Sequence, residues 1–125
     1  MAQDIVSDAL NQIMNAKRAG KDKVEIKWVS KLLLNLLEMM KENGNITFEL
    51  DEDNKKVEIT LLKVNECRAI KPRYYVGVKD IEKYLRRFLP SRNFGTLVIS
   101  TNKGLMNQKQ VEENKIGGSL IAYFY

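Results

Sequence analysis

The spacing of the apolar residues changes repeatedly between the helical and the strand period, and this restricts the possible folds more than any other feature. Within residues 23–28, Val24, Ile26 and Trp28 alternate with charged side chains, which predicts a half-buried strand. Within residues 4–20, apolar residues recur every three or four positions, which predicts an amphipathic helix that ends near Gly20. A chain that carries both patterns is expected to pack helices on sheets.

Along the rest of the chain, the same two periods predict further helices and strands. They are a helix capped by Ser30, strands at residues 46–50, 57–64 and 74–78, a helix from Asp80 to Pro90, a strand at residues 96–100, a helix at residues 107–114 and a last strand at residues 119–125. Residues 65–75 have no clear period and are interpreted as a linker. The predicted fold class is α+β with two small lobes, an N-terminal αβαββ lobe at residues 1–66 and a β-rich C-terminal lobe with short helices, βαβαβ, at residues 67–125.

The charged residues are divided unevenly between these two lobes. Residues 1–66 hold 10 Lys and Arg against 12 Asp and Glu, a net charge of −2, whereas residues 67–125 hold 11 against 4, a net charge of +7. A basic half beside a nearly neutral half predicts a polyanionic partner for the C-terminal part. The alternative is a solvated basic surface without a dedicated partner.

The residue types exclude several kinds of chemistry. The 125 residues include no histidine and one cysteine, Cys67, so the chain lacks the commonest general base and cannot build a zinc cluster. We therefore predict no metal site and no cofactor. No apolar stretch reaches the roughly 18 residues that a membrane span requires, and residues 1–10 lack the basic segment typical of a secretion signal. These features predict a cytoplasmic protein without a membrane partner.

Residues 100–108, STNKGLMNQ, follow an apolar strand and precede a predicted helix. Asn107 and Gln110 have the spacing of a capping box, so the helix is expected to begin there and to place the preceding loop beside its free N–H groups. Two hydroxyl groups and Lys103 in this loop would then bind an anion. From these residues alone, an anion site and a plain polar turn are equally supported, and the GxxxxGK[ST] pattern of nucleotide hydrolases is absent.

Several stretches of the chain resemble one known family. Residues 94–106, FGTLVISTNKGLM, residues 117–125, GGSLIAYFY, and residues 4–16, DIVSDALNQIMNA, are similar to the small-subunit ribosomal protein S8 family. Residues 65–74, NECRAIKPRY, and residues 87–95, RFLPSRNFG, resemble its archaeal and eukaryotic cytosolic branch. These stretches follow one another in the family order and cover nearly the whole chain.

The resemblance implies a non-enzymatic, structural constituent of the small ribosomal subunit in the cytoplasm, which binds the central domain of the ribosomal RNA directly and supports subunit assembly and translation. Its implied partners also include neighbouring small-subunit ribosomal proteins and, as in some members, its own messenger RNA. Short polar side chains at a rigid junction suit this task, because proteins recognise irregular RNA through its backbone, 2′-hydroxyls and unpaired bases. The residues at or beside the RNA-facing positions of the family are Ser100, Thr101, Asn102, Lys103, Gly104, Met106, Gly117, Gly118, Ser119, Lys71, Pro72, Arg73, Asp4, Asn15, Lys17 and Arg18.

Simpler roles and other functions compete with this interpretation. Asp4 also fits a helix N-cap. Tyr74 and Tyr75 have rings that can stack on a base beside Arg73, but at least one of them is expected to pack in the core instead. The competing functions are an enzyme that holds a phosphorylated small molecule in the loop at residues 100–104, and a protein–protein adaptor that uses a sheet edge. The absence of histidine and of a nucleophile–base pattern argues against the enzyme.

Overall fold

The computed structural model describes residues 5–27, 29–51, 55–91 and 94–125, with the backbone alone described at residues 71 and 72. Its elements, in chain order, are α1 (Ile5–Arg18), β1 (Lys23–Ile26), α2 (Lys31–Glu42), β2 (Ile46–Asp51), β3 (Lys56–Leu61), β4 (Cys67–Val76), a 3-10 helix (Val78–Asp80), α3 (Ile81–Phe88), β5 (Thr96–Thr101), β6 (Gly104–Met106), α4 (Gln108–Asn114) and β7 (Gly118–Phe124). The chain divides into two compact units, and the division falls between Cys67 and Arg68. The mixture of helices and two sheets confirms the predicted α+β class. Within the described ranges, no helix combines the length and the apolar character needed to cross a membrane.

The first unit packs two helices on a three-stranded antiparallel sheet with the order β1-β3-β2. α1 contacts β1 and α2, and α2 contacts β2. The buried side chains of the helices recur every three or four residues, as amphipathic helices require; they are Val6, Ala9, Leu10, Ile13, Met14 and Ala16 in α1 and Leu33, Leu36, Leu37 and Met40 in α2. From the sheet, Ile26, Val57 and Ile59 are buried as well.

The ends of the first two helices are encoded locally. The Ser30 side chain accepts a hydrogen bond from the Leu33 N–H at 3.1 Å, which confirms the predicted N-cap of α2. After α1, Gly20 has a φ of +74°, and the Lys21 N–H donates to the Ala16 carbonyl at 2.9 Å. Glycine adopts this left-handed conformation without the steric cost of a side chain, which explains why the helix ends there.

The second unit is built on a four-stranded sheet with the order β4-β7-β5-β6, in which β5 is antiparallel to both of its neighbours. Ile81 and Leu85 of α3 belong to the same buried cluster as Leu97 and Ile99 of β5, and so does Val111 of α4. Both helices therefore lie on the face of the sheet that carries Leu97 and Ile99. Side chains two residues apart in a strand share a face, so the opposite face carries Val98 and Ser100.

The predicted linker at residues 65–75 is wrong, because residues 67–76 form the ten-residue strand β4. The side chains of Ile70 and Val76 are buried, whereas those of Arg73 and Tyr75 are exposed. Pro72 obscured this alternation in the sequence. Proline cannot donate to a neighbouring strand, but it is tolerated in β4 because this strand lies at the edge of the sheet.

Two further expectations for the C-terminal part are corrected. The prediction of a strand followed directly by a helix missed β6, so this part of the chain has one strand more than βαβαβ. Asp80 does not cap α3 with its side chain, because the 3-10 turn at Val78–Asp80 precedes the helix and Asp80 itself has helical backbone angles.

Replacement of Ser30 by Ala removes the side-chain acceptor at the start of α2, and we expect the free energy of unfolding to fall by about 1 kcal/mol. The control is Ser30→Asp, which keeps an oxygen acceptor at the same position and should keep most of the stability. Urea denaturation followed by circular dichroism would measure the difference. An Ala variant as stable as the wild type would show that α2 does not depend on its cap.

Candidate RNA interface

Three segments of the second unit meet at one end of its sheet. Ser100 of β5 pairs with Leu105 of β6 on one side and with Ser119 of β7 on the other. The β5–β6 hairpin turns just beyond Ser100, and β7 begins at Gly118. The preceding residue, Gly117, lies against the carbonyl of Val76 at the end of β4. The hairpin, the start of β7 and the end of β4 are therefore neighbours.

The hairpin turn is held by the hydroxyl group of Thr101. This hydroxyl donates to the Gly104 carbonyl at 2.8 Å and accepts from the Lys103 N–H at 3.1 Å. Gly104 has a φ of +108°, a conformation that favours glycine, and a Cβ at this position would meet no atom within 4 Å. The roles of Thr101 and Gly104 are thus to shape the turn, which leaves Asn102 and Lys103 exposed at its tip.

The two glycines before Ser119 are required by close approach of the neighbouring strands. A Cβ at Gly118 would overlap the carbonyl oxygen of Ser100, and a Cβ at Gly117 would lie 2.7 Å from the carbonyl oxygen of Val76. Real Cβ atoms do not approach backbone atoms so closely. Both glycines therefore have a reason within the fold, whether or not RNA is bound.

The candidate residues of this sheet end are divided between its two faces. Cross-strand partners share a face, so Leu105, Ser100 and Ser119 form one row on the face opposite α3 and α4. We call them the Leu105–Ser100–Ser119 row. All three side chains are partly accessible to solvent. Met106 pairs with Ile99 instead and packs against the buried cluster beneath the helices, which favours a packing role for this residue.

The expected position of the loop beside a helix N-terminus is wrong. α4 begins at Gln108, and β6 separates it from the hairpin tip. The predicted capping box is confirmed: Asn107 Oδ1 accepts from the Gln110 N–H at 2.8 Å, and Gln110 Oε1 accepts from the Asn107 N–H at 3.0 Å. Two of the N–H groups at this helix start are thus already bonded within the capping box and are not available to an anion.

The remaining C-terminal candidates lie in the edge strand β4. Residues 71–73 occupy its second half, and the Arg73 side chain is exposed. Arg73 and Tyr75 are two residues apart and therefore project from the same face of the strand. Ile70 and Val76 point to the other face, because they belong to the cluster beneath the helices. Arg73 and Tyr75 therefore lie on the same face of the sheet as the Leu105–Ser100–Ser119 row.

The N-terminal candidates form a separate group in the first unit. Asn15, Lys17 and Arg18 lie in the last turn of α1, and all three are exposed. Lys17 Nζ donates to the Asn65 carbonyl at 2.8 Å, so one of its three donors is used within this unit. Asn15 also borders a shallow groove of about 460 Å³ between α1 and β1. The predicted roles of Asp4 fall outside the described residues.

Comparison with known proteins identifies the family. The family model described as ribosomal protein S8 matches residues 4–125 of the chain. Three relatives are named small ribosomal subunit protein uS8: that of Nanoarchaeum equitans is 46% identical over the whole of both chains, that of Methanococcoides burtonii is 43% identical over 98% of this chain and 97% of its own, and that of Archaeoglobus fulgidus is 43% identical over the whole of both chains. This chain belongs to the ribosomal protein S8 family.

Membership in the S8 family confirms the expected function at the level of the family. The chain is a structural constituent of the small ribosomal subunit with ribosomal RNA as its partner, and its place is the ribosome of the cytoplasm. The S8 family consists of structural proteins, so the chain is not an enzyme. The phosphate-binding enzyme considered from the sequence is therefore discarded.

Tyr75 is a residue that the sequence-based selection left out of the S8 site. Its side chain is 75% exposed, whereas Tyr74 is partly buried and packs against the cluster beneath the helices. The two tyrosines differ because side chains alternate between the faces of β4. This alternation was not expected while residues 65–75 were interpreted as a linker. Once residues 67–76 are known to be a strand, every second side chain faces away from the core.

Replacement of Gly118 by Ala places a methyl group against the Ser100 carbonyl, and we expect the overpacked sheet to lose roughly 1–3 kcal/mol of stability. The matched control is Ser119→Ala, which adds no atoms and should change the free energy of unfolding by less than about 0.5 kcal/mol. Chemical denaturation would measure both. If Gly118→Ala had wild-type stability and lost only RNA binding, the glycine would be required for the RNA and not for the sheet.

Proposed function

We propose that this S8-family protein binds the central domain of small-subunit ribosomal RNA through the end of its second sheet. The observation that carries the proposal is the Leu105–Ser100–Ser119 row, which lies beside the exposed hairpin tip at Asn102 and Lys103. The sheet holds the hydroxyl groups of Ser100 and Ser119 at fixed positions, and the Asn102 amide stands at the adjoining turn. They suit an irregular RNA helix, where unpaired bases and 2′-hydroxyls are accessible.

The charge of the surrounding segment supports the same assignment. Residues 67–125 carry a net charge of +7, which would supply affinity for the phosphate backbone of any RNA. The exposed side chains of Arg73 and Lys103 are placed to contribute to it. The uncharged Ser100, Asn102 and Ser119 release no counterions, so their contribution would be recognition through hydrogen bonds.

The exposed face of the first sheet is a poor surface for RNA. Glu58 of β3 pairs with Glu25 of β1 and with Glu49 of β2, so three carboxylates form one row across the three strands. Lys23 Nζ lies 3.7 Å from Glu58 Oε1, and Lys56 Nζ lies 3.4 Å from Glu25 Oε1, so both lysines form ion pairs with these carboxylates. A contact of the first unit with RNA would therefore use the end of α1, with Asn15 and Arg18, rather than this face.

The other proposed partners follow from the family. Neighbouring ribosomal proteins would contact the surfaces that RNA leaves free, and the protein's own messenger RNA would bind if it imitates the ribosomal site. An adaptor that joins proteins through a sheet edge is the competing function. Strong, salt-dependent binding to RNA in the absence of other proteins distinguishes the proposal from the adaptor.

We expect the affinity for a transcript of the central domain to depend strongly on salt. If roughly five phosphates are neutralised, a plot of log K against log salt concentration should have a slope of about −3.5 to −4.5. Filter binding over a salt series measures this slope. A flat response would mean that the basic half does not face the RNA.

Recognition and general affinity should respond to different substitutions. The double variant Ser100→Ala, Asn102→Ala removes hydrogen-bonding groups without removing charge, so the affinity for the central-domain transcript should fall about tenfold or more while the salt slope stays constant. Binding to an unrelated RNA duplex should change little. Thr101 is left unchanged because its hydroxyl holds the turn.

The double variant Arg73→Ala, Lys103→Ala should instead weaken binding to both RNAs and flatten the salt slope by up to about 2. The control is Lys56→Ala, since this lysine is engaged with Glu25 on the acidic face and should leave the slope as it is. Thermal melting would verify that each variant is folded. If the Ser100, Asn102 variant lost both affinities equally and flattened the slope, the hairpin would be a turn beside the true site.

A further inference from the structure

Two adjacent tyrosines of β4 have opposite environments. The ring centroid of Tyr74 lies 5.9 Å from that of Tyr84, and the guanidinium carbon of Arg87 lies 5.5 Å from the Tyr74 centroid. Tyr75 projects from the other face and is 75% exposed. The fold therefore explains why an aromatic residue stands at position 74, but the packing of the core does not require one at position 75.

The position of Tyr75 connects it to the proposed RNA site. The Tyr75 hydroxyl oxygen lies 3.3 Å from the point that a Cβ of Gly117 would occupy, so the ring extends beside the start of β7. Ser119 follows two residues later in the Leu105–Ser100–Ser119 row, on the same face of the sheet. Arg73 projects from this face as well, because it lies two residues before Tyr75 in the same strand.

We propose that Tyr75 is a stacking platform for an unpaired base of the ribosomal RNA. This inference rests on the proposed function and adds a binding residue to its site. An exposed aromatic ring offers a flat apolar surface to a base, and stacking of this kind tolerates any base because each has a π-face. The hydroxyl and amide groups of the row and the hairpin tip would then contact the edges or the sugar of neighbouring nucleotides.

The surroundings of Tyr75 favour a base over a protein side chain as its partner. Cationic and hydroxyl side chains lie on the same face: Arg73 is on β4, Ser119 is on the adjacent β7, and Ser100 is on β5, one strand further away. Gly117 and Gly118 carry no side chains that would obstruct a planar group. The segment as a whole is strongly basic, as a surface that binds a polyanion should be.

Four single variants test the proposal against the central-domain transcript. Tyr75→Ala removes the ring and should weaken binding by about 5- to 150-fold without changing the salt slope, since no charge is lost. Tyr75→Phe keeps the ring and should bind within about twofold of the wild type. Phe94→Ala is the matched control, because Phe94 is also exposed but contacts Tyr125, at the end of the sheet where β7 finishes, and its loss should leave affinity unchanged.

The fourth variant, Tyr75→Trp, provides a signal that is independent of affinity. A stacked indole should be quenched when the transcript is added, beyond the change that the wild-type protein shows from Trp28. Thermal melting verifies that the variants fold. If Tyr75→Ala fails to fold, the affinity of Tyr75→Phe and the indole quenching of Tyr75→Trp test the stacking role. Unaltered affinity in Tyr75→Ala, an equal loss in Tyr75→Phe, or an indole that is not quenched would each overturn the stacking role. A wild-type protein that does not bind the transcript would overturn the proposed function itself.

Discussion

The register shift in the second sheet is the constraint on which the arrangement of the site depends. Val98 of β5 pairs with Ala122 of β7, but the next residue, Ile99, pairs with Leu120, so Ile121 has no partner on β5. In an unshifted ladder Ser100 would pair with Leu120. A slip of one residue moves every later side chain to the other face, and a bulge produces this slip within an otherwise continuous strand.

The consequence of the shift is that Leu120 and Ser119 exchange faces. With the shift, Leu120 joins Ile99 in the cluster beneath α3 and α4, and Ser119 joins Ser100 in the row on the opposite face. Without it, Leu120 would stand in this row, and Ser119 would face the core. The same strand pairing that buries Leu120 therefore places Ser119 beside Ser100, so the stability of the sheet and the geometry of the proposed site are not independent.

Some parts of this fold could be predicted from the sequence because their signals are local. Two helix starts depend only on nearby residues: Ser30 caps α2 through the Leu33 N–H, and Asn107 and Gln110 form the capping box of α4. β4 and β6 could not be predicted in this way. The proline in β4 is tolerated because this strand lies at a sheet edge, and β6 is a strand of three residues that pairs with β5.

The site was predictable in part for the same reason. Resemblance to the family identified residues 100–104 and the two glycines by position, whereas the face on which each side chain lies depends on the bulge and on the pairing of distant strands. Met106 and Tyr75 illustrate this: Met106 faces the core although it matches an RNA-facing position, and Tyr75 faces away from the core although the sequence did not distinguish it from Tyr74. Neither orientation can be read before the register is known.

The charges complete the distinction between the two sheets. Like charges directly across strands are unfavourable, and in the row of Glu25, Glu58 and Glu49 the neighbouring lysines offset this repulsion only partly, because these side chains are largely solvated. Such a row repels phosphates, whereas the net charge of +7 on residues 67–125 attracts them. Attraction alone would leave the RNA without a defined position. If RNA binds as proposed, the carboxylate row keeps it off the exposed face of the first sheet, and the hydroxyls of Ser100 and Ser119 fix its position on the second sheet.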